Sequence, residues 1–166
     1  MADQEFHPTA NQVEYVLCPS SLPENLQDQA RDIAVRTAEA YDICGLLAVE
    51  LFVTPTGELL VNEVAPRPHN SGHHTIEACY TSQFEQHVRA VLDLPLGSTA
   101  LKTAGVMANL VGAEGYAGPV VYQGYEELLS EPGVNIHVYG KRETRPFRKM
   151  GHVTVIAADR AAARAR

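Results

Sequence analysis

No stretch of this 166-residue chain is long and apolar enough to cross a bilayer, and no apolar run near Met1 has the pattern of a secretory leader. Nor is there a Cys-x-x-Cys pair: Cys18, Cys44 and Cys79 are odd in number and widely spaced, so a reducing, cytoplasmic setting is the simplest expectation. Net positive charge is absent as well. The chain carries −7 with its seven histidines neutral, which disfavours a general nucleic-acid or anionic-membrane surface and requires any anionic ligand to be held locally. Internal repeats and low-complexity tracts are also missing, although the Ala/Arg tail "DRAAARAR" reads as a helix cut short. What is present is a composition 45% hydrophobic and 20% charged, enough to bury a core in one domain or two small ones.

Residues 12–19, "QVEYVLCP", are rich in strand formers and end at Pro19, so they read as a strand. In the following stretch Ser21 and Glu24 make a capping-box pattern. Leu26, Ala30, Ile33, Ala34, Ala38 and Tyr41 recur at helical spacing, and Gly45 supplies a stop. A second helix is expected from about Ser82 to Leu92, opened by Ser82 and Glu85, with Phe84, Val88 and Val91 turned inward and Glu85 and His87 outward. Residues 94–103 have the turn residues of a linker. Beyond it, "AGVMANLVG", "VNIHVYG" and "GHVTVIAA" read as short strands and "YEELLSEPG" as a brief helix, so the second half is mostly β.

Two β-rich runs flank Pro55-Thr56-Gly57-Glu58 in "LLAVELFVTPTGELLVNEVA". With Thr56 and Gly57 at the centre of the turn, Glu50 faces Glu63 across an antiparallel pair. Opposed Cβ atoms lie roughly 4.5 to 5.5 Å apart, and like charges there are destabilising. At about 4 Å and an effective dielectric near 20 the repulsion is roughly 4 kcal/mol unless a cation intervenes. A hard divalent cation with oxygen ligands, Mg²⁺ above all, suits one or two carboxylates plus substrate phosphates. A solvent-facing carboxylate pair on an exposed sheet face fits the same pattern.

The second run leads into "APRPHNSGHH", where Arg67 is fixed between two prolines and cannot be helical. Backbone N–H groups, Asn70, Ser71 and a flexible glycine beside a guanidinium are what an oxyanion site requires. Zinc is the rival, since His69 and His73 are four apart and His74 follows, but Asn70-Ser71-Gly72 is poor helix material for such a pair. A polar turn with backbone-satisfied histidines is the third reading. Further on, "YGKRETRPFRKMGH" sets Lys141, Arg142, Arg145, Arg148 and Lys149 against Glu143. That makes the segment +4 and leaves −11 for the rest of the chain. Such local basicity suits a small phosphorylated ligand better than nucleic acid; a solvated charged turn is the plain alternative.

The stretch from Gly45 to Ala78, then "TSQFEQH" and "YGKRETRPFRKMGHVTV", resembles the C-terminal half of the N5-carboxyaminoimidazole ribonucleotide synthase family, the purine-pathway branch of the ATP-grasp superfamily, over residues 12–157. The resemblance implies an α+β fold. Residues 1–98 would be the C-terminal part of an ATP-grasp domain, an antiparallel sheet with helices, and residues 99–166 a small β-rich C-terminal domain. It implies a ligase that uses ATP, Mg²⁺ and bicarbonate to carboxylate 5-aminoimidazole ribonucleotide through carboxyphosphate, releasing ADP and phosphate. Glu50 and Glu63 would be the metal ligands, with Asn62 and Glu63 against the ATP phosphates. Arg67 and His69 would be catalytic, Asn70 and Ser71 substrate-binding, and Lys141, Arg148 and Lys149 would take the ribonucleotide phosphate. The family's N-terminal α/β domain and most of its ATP-grasp lid have no counterpart here. The implied partner is therefore the missing N-terminal half, in an enzyme that is a homodimer when complete and binds neither nucleic acid nor membrane. The alternative is a truncated, non-catalytic ribonucleotide-binding module.

Overall fold

The computed structural model describes residues 1–166. In chain order the strands and helices are β1 (Asp3–Phe6), β2 (Val13–Cys18), α1 (Glu24–Ala40), β3 (Ala48–Val53), β4 (Leu59–Ala65), a 3-10 turn (Asn70–Gly72), α2 (Thr75–Ala78), α3 (Gln83–Val91), β5 (Ala104–Val111), β6 (Gly118–Pro119), α4 (Tyr125–Ser130), β7 (Val134–Val138), β8 (Glu143–Thr144), β9 (Lys149–Ala157) and α5 (Arg160–Arg164). They divide into two compact units, Met1 with Ser20–Lys102, and Ala2–Pro19 with Thr103–Arg166. By spatial packing the break falls after Lys102, and Ala2–Pro19 lies with the second unit although it comes first in the chain. The cause is long-range pairing, because β2 hydrogen-bonds to β5 in a sheet of order β1-β2-β5-β9-β7. Strand propensity does not name a partner some ninety positions away.

In the first unit α1 starts two residues later than the Ser21 capping pattern implies. Pro23 is the N-cap, no side chain caps the helix, and the Leu26 and Gln27 amides donate to the Pro23 carbonyl. Its end is set by Asp42, not Gly45. Asp42 takes a left-handed conformation at φ 49°, with its amide donating to Glu39 O at 3.1 Å and the Ile43 amide to Ala38 O at 3.2 Å. These two bonds form a Schellman motif with aspartate in the position glycine usually fills.

The β3–β4 hairpin places Glu50 opposite Glu63, but by a different route from a simple two-residue turn. The turn runs Thr54–Gly57, closed by Gly57 N–H to Thr54 O at 2.9 Å, with Gly57 at φ 82°. Near the turn the pairs are Val53 with Leu59, Phe52 with Leu60 and Leu51 with Val61, one residue out of the expected register. A bulge between Glu50 and Leu51 leaves Asn62 unmatched on β4 and restores the Glu50–Glu63 pair.

Helix α3 is capped as the sequence implies, Ser82 Oγ accepting from Glu85 N–H at 3.2 Å. Glu85 is exposed as expected, but the apolar side is not the buried one. Phe84, Val88 and Val91 are exposed, and the buried residue is Gln83. The chain before β3 and the linker after α3 cover the other side, where polar side chains satisfy loop backbone. His87 Nδ1 accepts from Leu46 N–H at 3.1 Å, and Gln86 takes and gives a bond to Gly97 at 2.8 and 2.9 Å. Backbone hydrogen bonding outweighs apolar periodicity on this helix.

The second unit is built on its five-stranded antiparallel sheet. One face packs Leu17 and Val106 against Ala163 of α5, with Tyr15, Val155 and Ala157 around them. The Ala/Arg tail forms this helix: Asp159 caps it by accepting from Ala162 N–H at 2.8 Å, and Arg160 and Arg164 pair with Asp3 and Glu5, both at 2.7 Å. The most buried side chains of the sheet include Val16, Met107, Thr154 and His152. No helix of the chain is long and apolar enough to cross a membrane.

Candidate active site

Glu50 lies mid-strand in β3 and is buried, while Glu63 in β4 is half-exposed. Between them stands the imidazole of His69, its Nδ1 3.4 Å from Glu50 Oε1 and its Nε2 3.7 Å from Glu63 Oε1. These are ion-pair distances rather than good hydrogen bonds. The ring's short contact is instead to Ser71 Oγ, 2.9 Å from Nδ1. One imidazole brings at most a single positive charge to two carboxylates, so the set stays net negative and favours a hard cation.

The donor set fits magnesium. Two carboxylates face each other across the hairpin. That is the sparse set expected where substrate phosphates and water complete an octahedron. It does not fit the zinc alternative, because the three histidines turn to different partners. His69 faces the carboxylates, His73 Nδ1 accepts from Gln83 Nε2 at 2.9 Å, and His74 Nδ1 donates to Ser71 O at 3.1 Å. Burial pushes the His74 imidazole down to about 4, so it is a neutral structural donor near pH 7.

The loop from Ala65 to Gly72 is held in shape by its own backbone. Arg67 N–H bonds Ala65 O at 2.9 Å between its two prolines, and the Arg67 guanidinium is exposed, folded onto Pro68 O at 3.2 Å. His69 caps the 3-10 turn in which Gly72 N–H reaches His69 O at 2.9 Å and His73 N–H reaches Asn70 O at 3.1 Å. Asn70 and Ser71 are half-buried on that turn, and Asn62 is exposed at the bulge beside Glu63. The structure thus gathers Glu50, Glu63, His69 and Ser71 into direct proximity and leaves Arg67 and Asn62 facing outward next to them.

Lys141, Arg148 and Lys149 form a separate cluster in the second unit. Lys141 Nζ donates to Lys149 O and lies 5.6 Å above the Tyr139 ring, while Arg148 Nη1 donates to Glu143 O at 2.8 Å. Arg142 and Arg145 are exposed. The sequence reading passed over Gln83, whose buried amide binds the His69 backbone. It is a polar residue at the first position of a helix, too common to point anywhere, and it lies in the "TSQFEQH" stretch, which carries the family resemblance without giving it a role.

Two family descriptions match this geometry's framework: "ATP-grasp domain" over residues 4–84 and "Phosphoribosylaminoimidazole carboxylase C-terminal domain" over residues 105–166. Among curated proteins, the chain is 49% identical over 138 residues to the N5-carboxyaminoimidazole ribonucleotide synthase of Bacillus subtilis, covering 83% of this chain and 35% of that protein. Among solved structures it is similar to the N5-carboxyaminoimidazole ribonucleotide synthetase of Thermotoga maritima, with TM-score 0.87, 53% identity, and coverage of 91% of this chain and 42% of that one. It is also similar to the Aspergillus clavatus N5-carboxyaminoimidazole synthase in complex with ADP and 5-aminoimidazole ribonucleotide, with TM-score 0.89, 34% identity, and coverage of 99% and 44%. The chain spans about a third of the length of the Bacillus subtilis relative.

Proposed function

Because the chain belongs to the ATP-grasp family of N5-carboxyaminoimidazole ribonucleotide synthases, we propose that it supplies the carboxylate-bearing part of such a ligase. The reaction would join bicarbonate to the exocyclic amine of 5-aminoimidazole ribonucleotide. A bicarbonate oxygen attacks the γ-phosphorus of ATP and ADP leaves; the carboxyphosphate breaks to CO₂ and phosphate; the amine then attacks CO₂ and loses a proton. The observation that carries this reading is the Glu50–Glu63 pair, brought into register by the Asn62 bulge with His69 between the carboxylates.

Glu50 and Glu63 would hold Mg²⁺, which when bound neutralises charge on the phosphate oxygens during phosphoryl transfer. Asn62 lies next to Glu63 on an exposed bulge and would donate its amide N–H to a phosphate oxygen. The Arg67 guanidinium, held only by Pro68 O, is free to turn and bind a carboxylate or phosphate through two parallel N–H bonds. His69 would orient the carboxylate-bearing intermediate, while Asn70 and Ser71 supply hydrogen bonds to the ribonucleotide. Within the second unit, Lys141, Arg148 and Lys149 would take the ribonucleotide phosphate. Binding there must replace the backbone bonds that Lys141 and Arg148 now make.

Completion of the site would require the N-terminal portion that the relatives possess, and the whole enzyme would be a cytoplasmic homodimer. The basic cluster of Lys141, Arg148 and Lys149 also suits a second reading, a ribonucleotide-binding module without catalysis. Titration calorimetry of 5-aminoimidazole ribonucleotide into the chain tests what both share. Saturable binding that Arg67→Ala weakens at least tenfold is expected, and binding indifferent to Arg67→Ala contradicts it. Adding Mg·ATP, bicarbonate and a relative's N-terminal portion separates the two, because only the ligase reading predicts ADP release.

A further inference from the structure

We propose that Gln83 is the positioning residue that keeps His69 between the two carboxylates. Gln83 is buried at the first position of α3, and its side-chain amide grips one residue from both sides. Its Oε1 accepts from His69 N–H at 2.9 Å, and its Nε2 donates to His69 O at 2.7 Å. The same Nε2 also donates to His73 Nδ1 at 2.9 Å, and the Gln83 backbone N–H donates to Thr75 Oγ1, again at 2.9 Å. The amide has one workable orientation, since a backbone N–H can only donate and the oxygen must therefore face it. A flip would set NH₂ against N–H and oxygen against the His69 carbonyl, which would keep only its bond from Gly72 N–H.

Gly72 completes the clamp. A Cβ there would sit 2.5 Å from Gln83 Oε1 and 2.7 Å from its Cδ, closer than real atoms approach. The amide cannot swing away without breaking its bonds to His69 and His73. The loop thus closes directly over Gln83, which holds the His69 backbone together with the Gly72 N–H bond to His69 O. With its backbone held, His69 presents its ring to Ser71 Oγ, Glu50 and Glu63 together. Loss of the amide frees the backbone and removes the imidazole from the carboxylate pair. Residues that orient direct ligands typically change affinity or activity by roughly 10- to 100-fold when lost.

The effect on ligand rests on the reading under Proposed function; the clamp itself does not. The test uses the full chain, labelled with ¹⁵N, as wild type, Gln83→Met and Gln83→Glu, with 5-aminoimidazole ribonucleotide as the probe. Methionine keeps the length and apolar volume without either hydrogen bond. Glutamate keeps an acceptor for His69 N–H. In Gln83→Met, hydrogen exchange at the His69 amide should rise at least about tenfold and the His69 ring nitrogen shifts should move to those of an exposed histidine. Ribonucleotide affinity should fall roughly 10- to 100-fold. Gln83→Glu should recover the amide protection and part of the affinity. Unchanged His69 ring shifts in Gln83→Met would overturn the proposal, as would identical behaviour of the two variants, which marks Gln83 as packing alone. Should Gln83→Met unfold, Gly72→Ala reads the same clamp by displacing the amide, with the same shifts expected and the same null result against it. If the unsubstituted chain binds no ribonucleotide, the functional reading fails while the His69 resonances still decide the clamp.

Discussion

The β3–β4 hairpin and the five-stranded sheet are both antiparallel, yet they are supported in opposite ways. The sheet buries Val16, Met107 and Thr154 completely and is capped by α5 through Ala163 and two arginine ion pairs. The hairpin has two strands only and leaves Phe52, Val53, Leu60 and Val61 exposed. Isolated two-stranded ribbons are marginal in water, so the carboxylates sit on the part of the chain with least support of its own. The difference teaches that the best-packed sheet and the candidate carboxylate pair reside in different units. A loop clamp stands beside the hairpin: hydrogen bonds from Gln83 of α3 hold the His69 backbone next to the two carboxylates.

The sharpest way to break this comparison is truncation in each region. Met107→Ala should cost about 2–5 kcal/mol, a typical value for a buried methionine, whereas Leu60→Ala should stay within about 1 kcal/mol. Urea unfolding of the full chain measures both, and equal losses would erase the distinction.

Acid sharpens it next. His74 has its folded pKa lowered by burial to about 4 from 6.5, so the unfolded chain takes up a proton first as pH falls. The neutral form's contribution is complete above pH 6.5 and is lost progressively toward pH 4, by about 3 kcal/mol at the limit. His74→Gln should flatten that part of the urea midpoint curve. A wild type and variant with parallel curves would remove His74 as the cause.

The smallest effect concerns the carboxylates. Glu63→Gln relieves like charge across the hairpin and should leave stability unchanged or raise it by up to about 1 kcal/mol, while weakening Mg²⁺ or Mn²⁺ binding by calorimetry. A clear loss of stability would mean that Glu63 supports the fold rather than a cation.

Much of this was legible in the sequence, though not always for the reason first apparent. The Glu50–Glu63 pairing follows from two one-residue departures that cancel: the turn is one residue longer than its Thr56-Gly57 reading, and Asn62 bulges out to compensate. Bulges leave no periodic signal. The faces of α3 were misread because Phe84, Val88 and Val91 have helical spacing, while Gln83, Gln86 and His87 are drawn inward by loop backbone groups that periodicity does not see. Ser21 matched a capping pattern at a helix that Pro23 begins, and Asp42 ended it in a conformation sequence assigns first to glycine. The basic turn was plain as composition. That Lys141 and Arg148 spend their protons on Lys149 and Glu143 carbonyls was not, since those bonds depend on how the turn folds back on β9.

The central proposal is that Glu50, Glu63 and His69 serve ATP-dependent chemistry together with the part of the ligase that the relatives have beyond the span matched here. ADP release measured with Mg·ATP, bicarbonate and 5-aminoimidazole ribonucleotide tests it most directly, for the chain alone, for the chain with a relative's N-terminal portion, and for Glu63→Gln in both settings. The account predicts release above the Glu63→Gln blank only in the mixture. Release by the chain alone above that blank, or release in the mixture that Glu63→Gln leaves untouched, would contradict it.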